Sequence, residues 1–210
     1  MHFAVHKIKK RLQAAVIRIS DVAIFLGIVL IGGLGSSYYM VSAGSTLTTR
    51  TIGPWTTWKN EGRSDADPYT RAHLARSGKL NLTTEIAQTF LASKDTEGKA
   101  LHSSCEYQIS GDQLDAGWWS ITVFDDNGRL IANPSDRYTF TSDTVAISPN
   151  GKFVVTLARD ARPGNWLPTA GAGNLTLAMT LLEGDTTIAG DTEAEENLIG
   201  LPTIKRVDCR

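Results

Sequence analysis

An uncharged run from Val22 to Thr49, directly behind a basic leader, constrains this chain more than any other feature. Its first part, VAIFLGIVLIGGLGSSYYMVSAG over 22–44, is long enough for a helix to cross a hydrocarbon layer of roughly 30 Å. Lys7, Lys9, Lys10, Arg11 and Arg18 precede it, with Asp21 the only acid. That asymmetry predicts a cytoplasmic N-terminus and a translocated remainder. Residues 1–21 therefore read as a basic cytoplasmic leader, 22–44 as a single transmembrane helix, and 45–66 as a tether with an irregular segment. The exported domain then covers 67–210.

A cleaved export signal competes with the anchor. Val41-Ser42-Ala43 before Gly44 has the small residues of a cleavage site, whereas the long basic region and long apolar run favour an anchor. Gly32-x-x-x-Ser36 and Gly33-x-x-x-Ser37 would let two helices approach closely, giving a homodimer through the membrane. General tolerance of Gly and Ser in membrane helices accounts for the same residues. Val5, Ile8, Leu12, Val16 and Ile19 recur every three to four positions, as in a helix lying on an anionic leaflet, and a plain basic flank is the alternative.

The chain has 21 basic and 22 acidic residues, a balance that argues against a nucleic-acid partner. The densest acidic run, DTEAEE at 191–196, reads as a solvated loop. Cys105 and Cys209 both lie in the exported part, where an oxidising compartment permits a disulfide; two free thiols are the alternative.

In the exported part, Asp67 as N-cap, Pro68 as first helical residue and Gly78 as stop define one short helix over 67–78. Tyr69, Ala72, Leu74 and Ala75 are its expected buried stripe. Strands are predicted over 84–93, 104–110, 118–124, 129–132, 144–147, 153–157, 174–182 and 203–207, from β-branched and aromatic enrichment with alternation. Asp125-Asp126-Asn127-Gly128 and Ser148-Pro149-Asn150-Gly151 are hairpin turns. The fold class is mainly β, an antiparallel sandwich or barrel with one short helix behind the single N-terminal membrane helix.

GPWTTW (53–58), DPYTRAHLARSG (67–78), WWSITVFDDNGRLIANPSDRY (118–138) and NWLP (165–168) resemble, in the same order, motifs of the bacterial domain-of-unknown-function 1214 family. The resemblance spans most of 53–207. It implies a jelly-roll-like antiparallel β-sandwich, sometimes beside or fused to a second uncharacterised domain, and short members with one N-terminal membrane segment. It implies no activity. Phe124 stands where the family commonly has Tyr, which removes a hydroxyl from any site there. A bacterial source would place the anchor in the inner membrane and the domain in the periplasm.

Chemistry is sparse. Outside the leader the only histidines are His73 and His102, neither with a second ligand at metal spacing, so no metal site is expected. No nucleophile elbow, phosphate cradle or calcium loop is present, and no cofactor is implied. The pairs Asp112/Asp115 and Asp125/Asp126 have the makeup of acid–base carboxylates but fall in predicted turns.

Aromatic and planar polar groups remain. Trp118 and Trp119 are adjacent in a strand and face opposite sides of the sheet, so one is core and the other needs another role. Trp119, Asn133, Arg137, Asn165 and Trp166 are the candidate ligand-binding set, stacking and hydrogen-bonding an envelope glycan or apolar ligand. A plug for the end of the sandwich is the competing role of Trp166, and pairing with Asp136 or Asp143 that of Arg137. Function then divides three ways. The first is a non-catalytic binding or assembly module for an envelope ligand or partner protein. The others are a hydrolytic or carbohydrate-active enzyme and a structural subunit pairing with a separately encoded domain.

Overall fold

The computed structural model of the chain describes residues 2–78, 82–84, 86–114, 116–184 and 200–209, with side chains from residue 16 onward except at 183 and 184. Asp115 and the acidic run 191–196 lie outside the described residues. Two compact units result, Met1–Ser45 and Thr46–Arg210.

The first unit is one helix, α1 (His2–Ala43), which joins the leader and the apolar run without a break. Val16–Ala43 is long and apolar enough to cross a membrane, a property that anchors and export signals share. Phe25, Ile28 and Leu34 are exposed along it, unlike the stripe a soluble core helix would bury. Gly32 and Gly33 present open faces, and Ser36 Oγ donates to the Gly33 carbonyl.

The second unit is a two-sheet sandwich. Strands β1 (Thr49–Ile52), β2 (Trp55–Trp58), β3 (Ala87–Ala92), β4 (Cys105–Asp112) and β5 (Ala116–Phe124) come first, with α2 (Pro68–Ser77) between β2 and β3. Then follow β6 (Thr139–Thr141), β7 (Lys152–Ala158), β8 (Asn165–Pro168), β9 (Thr176–Gly184) and β10 (Thr203–Cys209). The six-stranded sheet has the order β1-β2-β3-β9-β5-β6, and the four-stranded sheet β10-β4-β7-β8. All pairings are antiparallel except β7 with β8. Phe90, Trp119, Ile121, Leu177 and Met179 from the larger sheet meet Tyr107, Ile109, Phe153, Val155 and Leu157 from the smaller. Trp119 stacks on Phe153 across the sheets, ring centroids 4.7 Å apart.

Helix α2 has the expected cap. The Asp67 carboxylate accepts the Tyr69 and Thr70 N–H groups, and Gly78 closes the helix in the left-handed region. Its buried face differs from the expected stripe. Thr70 and Leu74 are buried while Tyr69, Ala72 and Ala75 are exposed, because the His73 ring stacks on Trp58 and sets the rotation.

Residues 45–66 hold more structure than a tether. They form the hairpin β1–β2, and Trp55 is wholly buried with its Nε1 donating to the Pro202 carbonyl. NWLP, which falls outside the predicted strands, is strand β8. Conversely, 129–132 and 144–147 are not strands; each makes one isolated bridge, Leu130 to Phe124 and Ile147 to Phe153. Side chains occupy the hydrogen bonds a neighbouring strand would use. Asn133 Nδ2 donates to the Ile131 carbonyl, and the Asn165 amide takes both the N–H and the C=O of Ala146.

Cys105 and Cys209 face each other across the β4–β10 ladder and form a disulfide, Cα atoms 3.9 Å apart. Beside it, Arg206 donates to the Ala100 carbonyl, pairs with the buried Asp95 and lies over the Tyr107 ring.

Candidate functional site

The larger sheet has an outer face as unusual as its inner one is ordinary. Strand alternation sends Ala87, Thr89 and Leu91 of β3 outward, with Thr176, Ala178, Thr180 and Leu182 of β9 and Trp118, Ser120, Thr122 and Phe124 of β5. None of these positions carries a charge, although a solvated sheet face normally alternates to charged or strongly polar groups. Cross-strand neighbours form rows. Ala87, Leu182 and Trp118 make one row, Thr89, Thr180 and Ser120 the next, then Leu91, Ala178 and Thr122. Several hydroxyls satisfy one another, as in Thr89 with Thr180 and Ser93 with Thr176.

Over this face lies a trough of 680 Å³, within the size range of small-molecule sites. The outward residues of β3 and β9, with Phe124, make its floor. One wall is Glu61 and Leu82, the other the turn Asp125, Asp126 and Gly128. The Leu82 wall depends on a close backbone approach. The Thr84 N–H donates to the Glu61 carbonyl, and a Cβ on Gly62 would lie 2.0 Å from the Leu82 carbonyl oxygen. Only glycine permits that contact, and its φ of 76° adds a second reason.

At the other wall the Asp125 carboxylate accepts the N–H groups of Arg129 and Asn127 at 2.8 and 2.9 Å. The Arg129 N–H bond leads in lowering its pKa below the ordinary carboxylate value, so it is ionised at neutral pH. Arg129 Nε stands 3.5 Å from its second oxygen. Asp126 is exposed and accepts from Asn127 Nδ2. Glu61 is only 8% exposed. Among the described residues that line it, the trough is apolar along its floor and has acidic residues at both walls, with no Lys or Arg.

The residues expected from sequence fall elsewhere. Trp119 is core, 3% exposed, and it is Trp118 that takes the outer face opposite Leu182. Parity along a strand separates the two tryptophans without saying which is buried. Asn133, Arg137, Asn165 and Trp166 do come together at the far edge of the sandwich, with their polar groups already committed. Asn133 Oδ1 accepts the Arg137 N–H while its Nδ2 donates to the Arg137 and Ile131 carbonyls. Arg137 lies over Phe140 and donates to the Trp166 carbonyl at 3.4 Å. Asn165 is 8% exposed and binds Ala146 twice and the Val154 carbonyl once. Trp166 Nε1 donates to the Ala158 carbonyl. This cluster closes the sandwich edge. The trough, in contrast, was signalled by something simple: the absence of charge at every outward position of β3, β5 and β9.

Two further constellations bear on chemistry. His102 Nδ1 lies 2.7 Å from Ser104 Oγ, yet the same nitrogen faces the Ser104 N–H at 3.1 Å, and no described carboxylate orients the ring. The pair is a local turn, not a charge-relay set. Asp112 pairs with Lys152, and no described group of three His, Cys, Asp or Glu is placed to hold a metal.

The sequence profile of the family described as "Protein of unknown function (DUF1214)" matches residues 86–186. That segment belongs to the DUF1214 family. It runs from the start of β3 to the end of β9 and so includes the whole strand floor of the trough, while Glu61 and Leu82 stand outside it. The crystal structure of the VPA0106 protein from Vibrio parahaemolyticus is similar, with a TM-score of 0.60 at 18% identity. The similarity covers 84% of this chain and 43% of that one, and it establishes the shared fold. This chain therefore spans under half the length of the Vibrio protein. A putative uncharacterized protein from Burkholderia cenocepacia matches with a TM-score of 0.41 at 18% identity, over 59% of this chain and 30% of that one. No curated protein matches the sequence.

Proposed function

We propose that this chain is a non-catalytic binding module, held at the bacterial inner membrane by α1, which shelters a slender apolar ligand of the envelope on the outer face of its six-stranded sheet. The observation that carries the proposal is the trough of 680 Å³ over β3 and β9, whose floor is uncharged and lined by apolar and hydroxyl side chains. Its apolar side chains contribute a floor that water solvates poorly, and burying them against a ligand is favourable by roughly 25 cal/mol per Å². The basic leader supports a cytoplasmic N-terminus and a periplasmic domain, and the disulfide agrees with an oxidising compartment.

The test is direct. The full chain, extracted in mild detergent and transferred to amphipol, is analysed by native mass spectrometry for non-covalent adducts. Wild type is expected to carry a small-molecule adduct that Ala178→Trp, which fills the middle of the floor, loses. Adducts of equal abundance on both proteins would refute it.

A second proposal is assembly with a further protein region, favoured by the part of the Vibrio relative that has no counterpart in this chain. It predicts a stoichiometric protein partner in the same preparation, retained by Ala178→Trp.

A further inference from the structure

We infer that the ligand of the trough is a cationic amphiphile, a single aliphatic chain carrying an ammonium-type head, and not a fatty acid or an anionic lipid. The inference rests on the binding proposal above and adds the chemistry of the occupant.

Shape comes first. Residues 176 to 182 of β9 run the length of the floor, roughly 20 Å at about 3.4 Å per residue. The floor is two strands wide along most of that length, β3 and β9 standing about 4.8 Å apart, with Phe124 of β5 at one end. Leu91, Phe124, Ala178 and Leu182 are half-buried on this floor, not exposed. A flat protein surface cannot reach side chains recessed in this way, whereas a slender chain can lie along them. Leu82 is exposed on the lip and adds apolar surface beside such a chain.

Charge decides the head group. Among the described residues that line the trough, the titratable side chains are carboxylates: Asp125 and Asp126 at one wall, and at the other Glu61, which is buried and already engaged within the fold. Arg129 offsets part of the Asp125 charge from outside, whereas among the described residues the hydrogen-bond partner of Asp126 is the neutral amide of Asn127. A ligand with an anionic head would meet Asp125 and Asp126 at this wall, with no Lys or Arg among the described lining residues to receive it. An ammonium head finds Asp126 at the solvent edge of the turn, where it keeps much of its hydration. The hydroxyl row of Thr89 and Thr180 is internally satisfied and makes no demand on an aliphatic chain passing over it.

The experiment is a matched pair of probes, decylammonium and decanoate, titrated by calorimetry into the full chain in amphipol below their micelle concentrations. Ala178→Trp in identical amphipol subtracts partitioning that is unrelated to the trough. Wild type is expected to bind decylammonium about tenfold tighter than decanoate, a difference of about 1.4 kcal/mol. Asp126→Asn, an exposed substitution that leaves the sheet intact, is expected to reduce that ratio severalfold without abolishing decylammonium binding. Equal or tighter binding of decanoate, still lost in Ala178→Trp, overturns the cationic head and leaves the trough as a ligand site. Binding of neither probe beyond the Ala178→Trp background overturns both proposals. A photo-crosslinker at Thr180 that captures a polypeptide in intact cells likewise overturns the amphiphile, in favour of a protein occupant.

Discussion

Asn165 offers a sharp test of how the sandwich edge is held. Its amide acts as a surrogate strand for the segment around Ala146, accepting that residue's N–H at 2.7 Å and donating to its carbonyl at 2.9 Å, with a further bond to the Val154 carbonyl at 3.0 Å. A typical hydrogen bond contributes about 1 kcal/mol net, and Asn165→Ala removes three, so the expected loss is about 2–3 kcal/mol. In a domain of this size that is a fall in Tm of roughly 4–12 °C. Asn165→Asp separates the bonds from the bulk. The introduced carboxyl keeps an acceptor for the Ala146 N–H, but when ionised it faces two carbonyl oxygens in a site only 8% exposed in wild type. Its folded pKa therefore lies above the unfolded value of about 3.9. The stability that its protonated form preserves is fully present below that unfolded value and is lost as pH rises through the folded one. Urea unfolding of the full chain in mild detergent, followed by tryptophan fluorescence at pH 7 and pH 4.5, reads this directly, with wild type as the reference at each pH. Asn165→Asp should be as destabilised as Asn165→Ala at pH 7 and partly restored at pH 4.5. A pH-independent penalty, or one below about 0.5 kcal/mol, would refute the surrogate-strand account.

Three other outcomes follow from the same geometry. Replacing both cysteines by Ser opens a loop between positions 104 residues apart, and the chain-entropy account puts the loss at up to about 4.7 kcal/mol; denaturation midpoints with and without reductant should differ in wild type and coincide in the variant. Gly62→Ala should displace the Leu82 wall, so faster hydrogen exchange at the Thr84 amide is expected, and unchanged exchange there would count against the close approach. Asp67→Ala removes the cap of α2 and should cost about 1 kcal/mol, measured by thermal unfolding, with Asp67→Asn nearly neutral.

What was legible in the sequence was what is decided locally. The Asp67–Pro68 start and Gly78 stop of α2, and the turns at 125–128 and 148–151, are fixed by residues within four positions of one another. Family motifs pointed to a mainly β fold, and the family profile and the Vibrio structure agree with it. The misreadings share a cause in partners distant in sequence. NWLP has no strand periodicity because β8 is a short parallel edge strand, held by β7 on one side and by its own Asn165 on the other. The segments 129–132 and 144–147 have strand composition but give their backbone bonds to Asn side chains. The tryptophan pair misled about the site because alternation gives two faces and no label for which is the core. The trough was missed because its signal is a missing charge spread over three strands, and the strands are neighbours only after β9 has inserted between β3 and β5.

That insertion has a consequence in time. β9 pairs with β3, about ninety positions earlier, and with β5, about sixty earlier, so it is the last element needed to join two halves of one sheet. Until it arrives, β1–β2–β3 and β5–β6 are separate pieces, each presenting an unpaired edge of β-branched and aromatic residues. Pairings this distant fold in milliseconds to seconds, not microseconds. For that interval the chain is most exposed to sticking to its neighbours, and its vulnerability is set by the arrival of a single strand and not by the final stability of the sandwich.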